Sequence, residues 1–140
     1  LLGAIMLLAG CAPAGTTAEE AADWEASQGA NADSTPRMTA YLSATTGEDA
    51  DAEPGEGVTL DFSEPRAIDA IRFDCMGPAT MTVQVEIEAA SGTQQFTFDD
   101  QSCEATQVDL GVPAVDGVTS IRIDGESEAN GAWIAILQHP

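Results

Sequence analysis

Three cysteines, one histidine and a large surplus of carboxylates are the residues here whose types could do chemistry. Cys11, Cys75 and Cys103 can act as nucleophiles or ligands as thiolates, or as cross-links once oxidised. None has a CxxC neighbour or a nearby histidine, so redox catalysis and zinc binding are not expected. His139 is the sole histidine and is penultimate in the sequence. A nucleophile–histidine device needs an imidazole held rigidly by a third group, and a penultimate residue is expected to fray. A glycosidase needs two carboxylates at a fixed separation. With 24 acids such pairs arise by chance, and a small domain is expected to have little room for a cleft. Asp99-Asp100 reads as a solvated strand end rather than a cation site, and Trp133 as core rather than a sugar-stacking platform. No lysine and no phosphate-cradling Gly-rich loop is present. The expectation is a protein that is not an enzyme, with no catalytic residue, cofactor or metal ligand.

Charge narrows the partners. Four arginines (Arg37, Arg66, Arg72, Arg122) face 24 acids, giving a net charge of −20. Nothing here neutralises a run of phosphates, so nucleic acid is excluded as an expected partner. Adsorption to anionic head groups needs clustered basic residues and is not expected either. The acids are spread along the whole chain, which fits a solvated acidic surface.

The N-terminus carries a processing signal. Residues 1–10 read Leu-Leu-Gly-Ala-Ile-Met-Leu-Leu-Ala-Gly, an apolar stretch ending in small residues. As a helix it would span about 15 Å, half a bilayer core, and is too short to cross. We expect it to be the later part of a signal peptide. Leu8-Ala9-Gly10-Cys11 resembles the lipobox of bacterial lipoproteins. That resemblance implies a diacylglycerol on the Cys11 thiol, cleavage just before it, and a protein held at the outer face of the cell membrane. Two acyl chains matter because one alone binds a bilayer only marginally. With Cys11 assigned to lipid, the odd count of cysteines leaves Cys75 and Cys103 as a pair. Outside the cytoplasm that pair is expected to oxidise.

Residues 11–37 read as a lipidated flexible tether, rich in Ala, Gly, Thr, Ser, Asp and Glu. As a coil it would reach about 25–30 Å. Within it, Thr17-Ala18-Glu19-Glu20 fits a capping box before Ala21, Ala22, Trp24 and Ala26. A helix of about ten residues is marginal alone, so Trp24 is either exposed on a transient helix or docks it on the domain or a partner. Residues 45–57 hold Glu48, Asp49, Asp51, Glu53 and Glu56, and read as an acidic surface loop. Their spacing does not match the EF-hand pattern for calcium.

Residues 38–140 read as one domain of strands. Met38 to Thr45 is a first strand. Alternation then marks Val58–Phe62, Ile71–Cys75, Met81–Ile87, Phe96–Phe98, Val108–Leu110 and Ile121–Ile123. Trp133–Leu137 is almost wholly apolar and is expected to be central or covered on both faces. Turns are expected at Gly77-Pro78, Ser91-Gly92, Gly111 to Pro113, Asp116-Gly117 and Asn130-Gly131. The fold class is all-β, an antiparallel β-sandwich of seven or eight strands, jelly-roll-like. A disulfide would tie the strand ending at Cys75 to one beginning at Cys103.

Val58-Thr59-Leu60-Asp61-Phe62-Ser63-Glu64-Pro65, then Ile68-Asp69-Ala70-Ile71-Arg72-Phe73, then Gly131-Ala132-Trp133, resembles the galactose-binding-like jelly roll of discoidin-type domains. The chain is also similar to small lipoproteins of high-GC Gram-positive bacteria. These resemblances imply an eight-stranded domain displayed from the membrane, and they transfer no binding residue. The expected function is a non-catalytic binding or adaptor module for a glycan or an envelope protein. A structural or accessory subunit acting through Trp24 or the acidic loop is the alternative, and an envelope hydrolase a remote one.

Overall fold

The computed structural model describes residues 15–47 and 56–140. Helix α1 (Ala18–Ala32) is followed by eight strands: β1 (Met38–Thr46), β2 (Val58–Ile68), β3 (Ala70–Met76), β4 (Thr80–Ala89), β5 (Gly92–Ser102), β6 (Val108–Asp109), β7 (Val115–Glu126) and β8 (Gly131–Gln138). They form two four-stranded antiparallel sheets, ordered β1-β8-β3-β6 and β2-β7-β4-β5. Apart from the β4–β5 hairpin, every connection passes from one sheet to the other. This is the double Greek-key weave of a jelly roll.

Alternation explains the core. Met81, Val83, Val85 and Ile87 of β4 are buried, while the residues between them face out. Ile121 and Ile123 of β7 meet them from the neighbouring strand. Ile71, Phe73 and Cys75 of β3, with Trp133, Ala135 and Leu137 of β8, supply the opposing layer. Trp133 is 1% exposed and its ring lies 6.0 Å from that of Phe73. It is core, as its setting in an apolar strand suggested.

Strand β8 is buried along its whole length. One face belongs to the sandwich core. The other carries Ile134 and Ile136, which pack with Ala32, Trp24 and Met38. Here the stretch expected to be a tether holds a docked helix. Thr17 caps it, its hydroxyl accepting from the Glu20 N–H at 3.1 Å. The helix runs past the ten residues expected, because Trp24 and Ala32 gain apolar partners that an isolated helix lacks. Ser43 on β1 adds a hydrogen bond to Glu25 at 3.0 Å.

Two local expectations are corrected. Asp116-Gly117 is not a turn. It lies within β7, where Gly117 takes φ +69° at a register slip against β2, so the glycine serves a bulge. Cys103 does not begin a strand but follows the end of β5. The Cys75–Cys103 disulfide is present and joins β3 of one sheet to the end of β5 in the other.

Candidate functional site

The β2 strand starts as a regular partner of β7, with Val58 to Asp61 opposite Ile123 to Ser120. It then slips. Asp61 stands opposite Ser120 but Arg66 opposite Val118, so the intervening residues Phe62–Pro65 bulge out of the ladder. Pro65 has no N–H to give, which suits it to an edge strand and to a bulge. Bulges bend a strand and re-aim its side chains. Across the opening lies the start of β1, the edge strand of the other sheet, with its own slip between Met38 and Ala40. Between these two edges sits a cleft of about 350 Å³, lined by Met38, Thr39, Ala40, Leu60, Phe62, Arg66 and His139. That volume is in the range of small-molecule sites.

The lining is amphipathic. Met38, Ala40, Leu60 and Phe62 are half-buried, so they present apolar surface that the core has not consumed. Thr39 contributes a hydroxyl, Arg66 a guanidinium and His139 an imidazole. Among the described residues no carboxylate lines the cleft, although the chain carries 24 acids. Arg66 stands apart from the other arginines. Arg37 pairs with Asp69 at 3.4 Å, Arg72 donates to Gln138 Oε1 at 3.1 Å, and Arg122 lies 4.0 Å from Glu86. Arg66 is exposed, and its guanidinium makes no hydrogen bond or ion pair with any described residue.

His139 is better held than its position near the end of the sequence suggested. Its N–H donates to Arg37 O at 2.9 Å, and its carbonyl accepts from Arg37 Nη1 at 3.4 Å. Gln138 anchors the same segment, donating to Pro36 O at 2.9 Å. Among the described residues the cleft sets one guanidinium, one imidazole and one hydroxyl beside four apolar side chains, with no carboxylate pair. It can bind and orient a ligand.

The other sequence candidates lie elsewhere. Cys11 is outside the described residues, as are 48–55 of the acidic loop. Asp99 and Asp100 are exposed at the far end of β5. Among the described residues no three of His, Cys, Asp or Glu converge where they could hold a metal ion. Nor is any described helix long and apolar enough to cross a membrane. Two buried carboxylates went unnoticed in the sequence. Burial pushes Asp74 above the usual carboxylate range, while backbone N–H groups of Cys75 and Gln107 pull it back. Asp124 is 7% exposed, and its Oδ2 lacks a hydrogen-bond partner. Burial raises its pKa, the charge and hydrogen bond of Glu126 raise it further, and Arg122 lowers it.

Sequence reading missed the cleft because its seven residues come from three distant segments. The one available signal was Pro65 within an otherwise regular strand pattern, which marks an edge or bulge.

No family model, curated protein or solved structure matches this chain.

Proposed function

We propose that this chain is a membrane-anchored extracytoplasmic lipoprotein, held through Cys11, whose jelly roll is a non-catalytic binding domain. The observation that carries the binding reading is the β1–β2 cleft, with half-buried Phe62 and Leu60 beside an Arg66 whose guanidinium has no partner among the described residues. Half-buried apolar side chains in a concavity are an incomplete contact that a ligand completes. The expected ligand is an envelope component, a glycan or a segment of an envelope protein. The anchor rests on the lipobox resemblance, and the disulfide is consistent with an oxidising compartment. The accessory-subunit alternative loses part of its support, because Trp24 packs against Ile134 and Ile136 of its own chain.

The anchor is tested by cell fractionation, in which wild-type chain should sediment with membranes and Cys11→Ser should not. Equal partitioning of the two removes the lipoprotein reading. The binding reading is tested by thermal unfolding of the detergent-solubilised lipoprotein against envelope glycans and envelope-protein peptides. A melting rise that grows with ligand concentration is expected, and Phe62→Ala should weaken it. A rise that cleft substitutions leave unchanged places binding elsewhere on the molecule.

A further inference from the structure

We infer that the β1–β2 cleft takes a small carboxylate with an apolar body, its carboxylate on Arg66 and its body against Phe62, Leu60, Ala40 and Met38. The inference rests on the binding reading above and names the ligand class for that site.

Three observations converge on it. The first is charge. In a chain of net charge −20, the Arg66 guanidinium has no partner among the described residues, and none of the described lining residues is a carboxylate. The other arginines have all found acceptors within the fold. A guanidinium offers paired N–H donors that match a carboxylate's two oxygens. His139 lines the cleft beside Arg66, with its Nδ1 2.9 Å from the Pro140 oxygen. The second is polarity. Four of the seven lining residues are apolar, and Thr39, Arg66 and His139 are the polar ones. A hydrocarbon body gains apolar burial against those four side chains. The third is size. About 350 Å³ suits a short acyl chain or an aryl ring rather than a long lipid tail. Repulsion from acids more than about 8 Å away is screened at physiological salt.

The test uses the full chain in detergent micelles that contain no free acid, with methyl-labelled Met, Leu and Ala. Octanoate is the probe, octanamide its neutral isostere, and a peptide ending in free Leu carboxylate the macromolecular comparison. Octanoate should give saturable shifts at the methyls of Met38, Ala40 and Leu60, with those of Met81 unmoved. Octanamide should bind at least tenfold more weakly. Arg66→Gln should weaken octanoate by tenfold or more and leave octanamide unchanged, the loss expected for one charged hydrogen-bonded pair. Arg66 is exposed, so its replacement spares the core, and an unchanged melting temperature verifies that. Phe62→Ala should weaken both ligands.

Equal affinity of octanoate and octanamide overturns the inference, as does octanoate binding unaffected by Arg66→Gln, or no saturable cleft shift. If the peptide, or a neutral glycan, shifts these methyls and octanoate does not, the carboxylate inference falls while the binding-domain reading stands. If none of the probes moves them, both fall.

Discussion

At the scale of single residues, the buried outliers carry the sharpest consequences. Asp124 lies on β7 with an unsatisfied oxygen and a raised pKa, due first to burial and then to Glu126. A carboxyl whose folded-state pKa exceeds its unfolded value binds protons more tightly when folded. Its folded form is therefore favoured at pH below the ordinary carboxylate range, and that advantage is lost as pH rises through the raised value. Asp124→Asn removes the charge and supplies Glu126 with an N–H donor. It should raise the melting temperature at pH 7, and the gain should shrink as pH falls toward 4. A gain that is constant with pH would show that the carboxyl is not the cause. Gly125 makes the opposite point. A Cβ there would lie 2.5 Å from Cδ1 of Trp133, and that ring is fixed in the core. Gly125→Ala should cost about 1–3 kcal/mol by overpacking, measured by denaturant unfolding.

Among the elements, α1 is the least autonomous. Its docked face is carried by Ala21, Trp24, Glu25, Gln28, Gly29 and Ala32, of which Trp24 is the one large apolar residue. Such a helix holds its place through its cap and a few contacts, and it should open locally without unfolding the sandwich. Thr17→Ala removes the hydroxyl that accepts from Glu20 and should cost about 1 kcal/mol. Amide exchange across Ala18–Ala32 should then quicken by about fivefold, with β4 and β7 unchanged. Slowed or unaltered exchange in the helix would mean that the cap does not hold it. Strand β8 is the counterpart. Apolar on both faces, it needs a layer on each side, and α1 supplies the outer one over Ile134 and Ile136.

For the whole molecule, the disulfide is the main covalent constraint. Cys75 and Cys103 are 28 residues apart, and closing that loop removes unfolded-state entropy worth about 3–4 kcal/mol. A domain of this size buries a modest share of its surface, so that is a large part of its stability. Replacing both cysteines by serine should lower unfolding stability by about that amount, and adding reductant to the wild type should match it. A loss below about 1 kcal/mol would indicate native-state compensation. The bond also joins the two sheets on the side of β3 and β5, leaving the β1–β2 edges as the open flank where the cleft sits.

Much of this architecture was legible in the residues alone. Each of the eight apolar runs became a strand, because alternation with period 2 can bury one face only in a sheet. The near-continuous apolar run at Trp133–Leu137 became the strand covered on both faces. The cysteine pair followed from an odd count once Cys11 was given to lipid. Composition and local pattern suffice for these, since each depends on a residue and its near neighbours. Strand order, the docking of α1, and the cleft were decided only in three dimensions. Thr17–Glu20 announced a helix start, but nothing in the helix named Ile134 and Ile136 as its floor. Asp124 looked like one acid among 24 until neighbouring chain buried it. Arg66 and Met38 are 28 positions apart and His139 is a further 73 along. They share one cleft because a bulged β2 and the slipped start of β1 border the open edge of the sandwich, and pairing between distant strands is a property of the folded chain that no local pattern encodes.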